Sequence, residues 1–140
     1  MIKKGSAVWN GTIKEGQGTI STETGVLKEA PYGFKARFES GPGTNPEELI
    51  GAAHAACFSM ALSMMLGEEG HAAEEIQTEA EISMEKQDQG FTIVSSHLRV
   101  NANVPGIPEA LFIEIAEKAK TGCPVSKLLN AEISMDAKLA

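Results

Sequence analysis

The chain has 140 residues, about the length of one domain, and 42% of them are hydrophobic, enough for a core without a disulfide framework. Twelve Lys and Arg against 19 Asp and Glu leave a net charge of −7. That balance argues against nonspecific binding to nucleic acid or to anionic membrane, both of which reward basic surfaces. Arg37 and Arg99 are the only arginines, so each is a candidate for a specific task.

The first forty residues read as short strands and turns: Ser6 to Gly11, Gly18 to Thr22, and Tyr32 to Phe38. In the third, strand alternation places Phe34, Ala36 and Phe38 on one face and Lys35 and Arg37 on the other. A helix start follows at Thr44-Asn45-Pro46-Glu47-Glu48. Asn45 is the N-cap, Pro46 the first helical residue, and Glu48 a capping-box partner. The run from Leu49 to Gly67 carries no charge over 19 residues, long enough to be mistaken for a membrane span. Its Gly51, His54, Ser59, Ser63 and alanines make it a buried core helix instead, apolar on every face and ending near Gly67 or Gly70.

From Glu74 the period becomes two, with Ile76, Thr78, Ala80, Ile82 and Met84 on one side. Asp88-Gln89-Gly90 turns the chain into a second strand, Phe91 to Val104, expected to place Val94, Leu98, Val100, Ala102 and Val104 on one face. Pro108-Glu109 opens a helix with an apolar stripe of Leu111, Phe112, Ile115, Ala116 and Ala119, ending at Thr121-Gly122. A short helix starts at Cys123-Pro124, and a last strand alternates Ile133, Met135, Ala137 and Leu139 with polar residues. The expected fold is α+β: antiparallel sheets around a long buried central helix, one domain over residues 1–140. One small sheet cannot cover a helix that is apolar all round, so a symmetric homodimer is expected.

The N-terminus, Met1-Ile2-Lys3-Lys4-Gly5, has no apolar h-region or cleavage site, which points to the cytoplasm. Two cysteines in a reducing compartment are more often catalytic, redox-active or metal-binding than structural. Cys57, among Ala and Phe, reads either as a small buried hydrophobe or as a reactive thiol. Cys123, in Gly-Cys-Pro at a helix start, sits where amide dipoles favour a thiolate. A metal site is one ligand short, with no C-x-x-C spacing. His54, three residues before Cys57, shares its helical face. It reads as a packed histidine or, alternatively, as the base of a Cys57–His54 acyl-transfer pair. Glu47 reads evenly as helix-dipole complement or functional carboxylate, and Arg99 as a solvated strand residue.

Two motifs decide among these. Thr44-Asn45-Pro46-Glu47-Glu48-Leu49…Ala55-Ala56-Cys57-Phe58, followed by Gly122-Cys123-Pro124-Val125-Ser126, resembles the OsmC/Ohr family of thiol peroxidases over essentially the whole chain. The Pro31-Tyr32-Gly33-Phe34…Arg37-Phe38 stretch and the Gly51 to Leu62 run are similar to its osmotically inducible protein C branch. The resemblance implies an intertwined homodimer with active sites at the subunit interface. It implies reduction of organic hydroperoxides, and less readily of hydrogen peroxide, with no prosthetic group or metal. By motif, Cys57 is the peroxidatic cysteine and Cys123 the resolving one, while Arg37 and Glu47 hold thiolate and peroxide. The implied reductant is an external dithiol of lipoyl type, such as a lipoylated protein; nucleic acid and membrane are not implied partners.

Spacing and magnitude sharpen these expectations. Ten residues of straight helix put Glu47 and Cys57 about 15 Å apart, so they cannot touch along it. A bridging Arg37, a bent helix, or a glutamate from the partner chain could unite them. An ordinary cysteine is roughly 3% thiolate at pH 7; lowering its pKa to about 6 gains about thirty-fold in thiolate, of which lost nucleophilicity returns about ten-fold or more. Most acceleration must therefore come from positioning the peroxide and stabilising the leaving alkoxide, work for a planar guanidinium. Apolar surroundings, expected from Phe58, Met60, Met64 and either Tyr32 or Phe38, suit an alkyl hydroperoxide. A non-catalytic redox-sensing dimer is the alternative from another class.

Overall fold

The computed structural model describes all 140 residues. The chain forms two compact units, Met1–Leu49 and Ile50–Ala140.

In the N-terminal unit, β1 (Gly5–Asn10), β2 (Gln17–Thr22) and β3 (Ala30–Tyr32) form a three-stranded sheet in that order, both pairs antiparallel. Trp9 and Tyr32 lie on either side of Gly18, their rings 5.4 Å apart. A β-carbon on Gly18 would overlap both rings, so only glycine lets them close over the strand. The expected strand Tyr32 to Phe38 is corrected: β3 ends at Tyr32, and Phe34–Phe38 is a short helix, α1. An i, i+4 pair satisfies both a period of two and a helical turn. Here the helical reading wins, with the Arg37 amide bonded to the Gly33 carbonyl and the Phe34 and Phe38 rings 5.0 Å apart. Lys35 and Arg37 therefore do not share the wet face of a strand.

The second helix, α2 (Pro46–Glu68), starts as the sequence indicates: the Glu48 amide donates to Asn45 Oδ1 at 2.9 Å. The Glu48 side chain does not close a capping box on the Asn45 amide, because the Thr44 hydroxyl takes it.

The C-terminal unit holds the rest of α2, then β4 (Glu75–Gln87), β5 (Gly90–Asn103), α3 (Glu109–Gly122), α4 (Pro124–Leu128) and β6 (Glu132–Leu139). Its sheet has the order β4-β5-β6. β4 and β5 form the expected antiparallel hairpin, but β6 runs parallel to β5, correcting the all-antiparallel expectation. The two helices between β5 and β6 are the crossover a parallel pair requires. A bulge also resets β5: Ser83 faces Ser95 and Met84 faces Ile93, so Ile93 rather than Val94 continues the pattern. Beyond the bulge Ser96, Leu98, Val100 and Ala102 are buried as the period of two requires.

Phe58, Leu62 and Leu66 from α2 meet Leu98 and Val100 from β5 and Phe112, Ile115, Ala116 and Ala119 from α3 in one core. The α2 stripe has helical spacing: Gly51, His54, Phe58, Leu62, Leu66. Gly51 lets the helix approach β4, since a β-carbon there would sit 3.1 Å from the Ala80 carbonyl oxygen. Over its 23 residues α2 is long and apolar enough to cross a membrane, but this stripe is core. The helix is not buried all round within one chain: Met60 is 75% and Met64 58% exposed.

Candidate active site

The sequence-predicted residues come together as two pairs, one in each unit. In the N-terminal unit, Arg37 on α1 donates from Nε and Nη2 to a single oxygen, Glu47 Oε1, at 3.0 and 2.8 Å. Asn45 fixes this geometry. Its side chain caps α2 through Oδ1 and donates through Nδ2 to the Ala36 carbonyl at 3.0 Å, tying the start of α2 to the residue before Arg37. Glu47 Oε2 is buried without a hydrogen-bond partner. A carboxylate oxygen left so is costly and marks a site short of one donor. Beside Arg37 opens a cavity of about 190 Å³, walled by Trp9, Tyr32, Phe34 and Phe38. It pairs an apolar wall with one cation, as an amphiphilic small molecule would require.

In the C-terminal unit, both cysteines are reduced; Cys57 on α2 is half-buried and Cys123, the N-cap of α4, is fully buried. The two thiols are close enough to influence each other's ionisation, and the Val125 amide favours the anion on either sulfur. Burial pushes the Cys57 thiol above its ordinary range, helped by its neighbour Cys123 and only partly offset by the Val125 amide. Burial opposes ionisation of Cys123 as well. There the Ser126 amide, the Cys57 thiol, the Ser126 hydroxyl and the Val125 amide together outweigh it and hold the thiol below its ordinary range.

His54 does not serve Cys57. Its Nδ1 lies 2.7 Å from Ser96 Oγ and its Nε2 2.7 Å from Ser126 Oγ, in full burial, which lowers its pKa. The acyl-transfer pairing has no free ring nitrogen to work with. Phe58, expected beside the substrate, is a core residue with no exposed surface. Arg99 is exposed, as expected, but paired: it forks onto both carboxylate oxygens of Glu81 at 2.9 and 3.2 Å. No group of three or more His, Cys, Asp or Glu side chains converges as a metal-binding set.

Sequence reading passed over Ser126 and the second bond of Asn45. Ser126 had a usable signal: it stands three residues after the N-cap Cys123, the position from which a side chain reaches back to the cap. Nothing local announced the Ala36 carbonyl as a partner.

Comparison with known proteins places this arrangement. Residues 39–138 match the family model described as OsmC-like protein. The chain is 58% identical over 137 residues to Peroxiredoxin OsmC of Escherichia coli (strain K12), covering 98% of this chain and 96% of that one. It is 28% identical over 123 residues to the Organic hydroperoxide resistance protein OhrB of Bacillus subtilis (strain 168), covering 87% and 88%. In fold it resembles the crystal structure of that OhrB, with TM-score 0.68 at 23% identity over 98% of each chain. It also resembles an OsmC-like protein from Mycoplasma pneumoniae, with TM-score 0.79 at 15% identity over 100% of this chain and 98% of that one. With a family model spanning both cysteines and Glu47, and a relative 58% identical along nearly its whole length, this chain belongs to the OsmC-like family.

Proposed function

We propose that this chain is a two-cysteine peroxidase that reduces organic hydroperoxides to alcohols, and hydrogen peroxide less readily, with a dithiol of lipoyl type as its reductant and no prosthetic group. The peroxidase class follows from the relative called Peroxiredoxin OsmC. The observation that carries the finer reading is the thiol pair: two reduced cysteines that bias each other's ionisation, one partly accessible and one buried. A hydroperoxide can reach Cys57 and cannot reach Cys123.

The Cys57 thiolate attacks one peroxide oxygen, the O–O bond breaks, and the alkoxide leaves and takes a proton to become the alcohol. Cys57 is then a sulfenic acid. Cys123 attacks that sulfur, forming the disulfide and releasing water before further oxidation. The external dithiol exchanges with the disulfide and restores both thiols. Cys57 is raised by its own unit's surroundings, so a cation has to complete the site. Arg37, held by Glu47, is that cation, with Nη1 left to meet the peroxide and the departing alkoxide. The apolar cavity beside it takes the alkyl group.

The working molecule in this reading is a cytoplasmic homodimer. The exposed Met60 and Met64, on a helix with no charge between Leu49 and Gly67, form the face a second copy covers. Arg37 and Glu47 act as one pair, so whether the partner contributes to a site is a question about the pair. Mixed dimers answer it: Glu47→Ala on one chain and Cys57→Ser on the other leave no active centre if sites form in cis and one if they form in trans.

The test of the function is steady-state consumption of tert-butyl hydroperoxide and of hydrogen peroxide with dihydrolipoamide, in wild type, Cys57→Ser and Cys123→Ser. Many turnovers that favour the organic peroxide and vanish in Cys57→Ser are expected. Consumption of a single equivalent with every dithiol would overturn the reading and leave a redox-sensing dimer.

A further inference from the structure

The buried histidine left out of this mechanism is built into the surroundings of the cysteine that closes the disulfide. Ser126 stands three residues past the N-cap Cys123, whose thiol its amide and hydroxyl bias toward the anion; its Oγ lies 2.7 Å from His54 Nε2, and His54 Nδ1 is backed by Ser96. The four groups come from α2, β5 and α4, and His54, Ser96 and Cys123 have no exposed surface. A core needing only a space-filling residue at position 54 would be served by an apolar one, since burying an imidazole costs free energy unless both nitrogens are paired.

We propose that His54 is a positioning residue for Cys123, acting through Ser126 as a proton-holding relay during disulfide formation. A neutral imidazole has one donor and one acceptor nitrogen, so the state of Nε2 dictates which way the Ser126 hydroxyl points. With Nε2 accepting, Ser126 donates to His54 and its oxygen can take the Cys123 S–H proton. With Nε2 protonated, it donates to Ser126, and Ser126 donates to the Cys123 thiolate. In the step itself the Cys123 proton passes to Ser126 Oγ as the Ser126 proton passes to Nε2. The sulfur electron pair forms the S–S bond at Cys57, the Cys57 S–O bond breaks, and the departing hydroxide takes back one proton as water. The Cys57 sulfur is reduced and the Cys123 sulfur oxidised to the shared disulfide level. No charged side chain acts on His54, whose low pKa has burial as its cause, so the relay returns the proton rather than storing it. The titratable group facing Cys123 is Cys57 from α2; the remaining contacts are the Ser126 and Val125 groups of α4.

The inference rests on Cys123 being the resolving cysteine, but its test needs no turnover. In a Cys57→Ser background, the Cys123 thiolate is titrated by its ultraviolet absorbance. Ser126→Ala is expected to raise the midpoint by about one pH unit, the worth of a charge-assisted hydrogen bond. His54→Phe is expected to raise it by a similar amount without touching the sulfur, and the double variant no further than Ser126→Ala alone. Ring-nitrogen NMR of His54 in the otherwise wild-type chain covers the case where His54→Phe does not fold: the protonated nitrogen is expected to change from Nδ1 to Nε2 as Cys123 ionises. A Cys123 midpoint indifferent to His54→Phe, additive effects in the double variant, or ring shifts constant through the Cys123 titration would each overturn the relay. Loss of peroxidase turnover in wild type would instead strike at the function proposed above.

Discussion

Replacing Arg37 by lysine separates charge from geometry. In the native chain Nε and Nη2 both reach Glu47 Oε1, at 3.0 and 2.8 Å, so the guanidinium plane is fixed while Nη1 stays available. An ammonium keeps the charge and at most one of those contacts. A charge-assisted hydrogen bond contributes about 1.5–3 kcal/mol in a dry setting. Arg37 is 38% exposed, which reduces the loss to roughly 1 kcal/mol. The kinetic effect is larger, because a catalytic group displaced by about 1 Å costs on the order of a hundredfold in rate. Arg37→Lys is therefore expected to lower kcat/KM for tert-butyl hydroperoxide about 10- to 100-fold, and Arg37→Ala by about a further tenfold or more. Arg37→Lys should melt within about 4 °C of wild type, while Arg37→Ala, which leaves the largely buried Glu47 carboxylate without a partner, should melt lower. The assay is the initial rate of peroxide loss with dihydrolipoamide in excess. Arg37→Ala within about twofold of wild type would refute the role of the guanidinium altogether. Arg37→Lys at the wild-type rate would keep the charge and refute the argument from the planar fork.

Other consequences can be measured on the same protein. Asn45→Ala removes the α2 cap and orphans the Ala36 carbonyl, so it should cost about 1–2 kcal/mol in urea unfolding and lower kcat/KM by loosening the Arg37–Glu47 pair. Cys123→Ser should take up one equivalent of peroxide to leave Cys57 as sulfenic acid and a second only as Cys57 passes to sulfinic acid, both visible by mass spectrometry. His54, whose folded pKa lies below the ordinary 6.5, makes the unfolded chain the better proton binder below that pH. Stability should thus fall as pH drops below 6.5, by at most about 1.4 kcal/mol per pH unit, and urea unfolding at several pH values should show His54→Gln without that component of the slope. Met60→Glu with Met64→Glu should convert a dimer to monomer in sedimentation; a dimer unmoved by both charges would place the interface elsewhere.

What the sequence disclosed follows the range of the forces involved. The α2 cap, the β4–β5 turn, and the start of α4 at Cys123-Pro124 are settled by residues a few positions apart, and all were legible. The Phe34–Phe38 segment was misread because four-residue spacing satisfies a strand face and a helix turn alike, and the hydrogen bond to Gly33 that decides it leaves no mark on polarity. The β5 bulge was invisible for a related reason: Val94 is as good a strand residue as Ile93, and only the pairing with Met84 chooses between them. Both cysteines could be named by motif. The partners of His54 could not, because Ser96 and Ser126 lie 42 and 72 residues away and reach it only through the finished core.

The division of labour between the two units bears on how the chemistry is kept in check. The C-terminal unit alone holds both thiols, yet burial there pushes the accessible Cys57 thiol up and away from ionisation. A peroxidase needs the reverse at the moment of attack. The N-terminal unit holds a cation, Arg37, oriented by a carboxylate whose second oxygen lacks a donor. If the cation is supplied only where Arg37 meets Cys57, ionisation of the accessible sulfur becomes conditional on assembly of the site. An unassembled chain then carries a thiol that oxidises slowly. This makes a quantitative demand on the Arg37→Ala variant: its residual rate with peroxide should rise with pH through the range of an ordinary or raised thiol, while the wild-type rate should already be flat there.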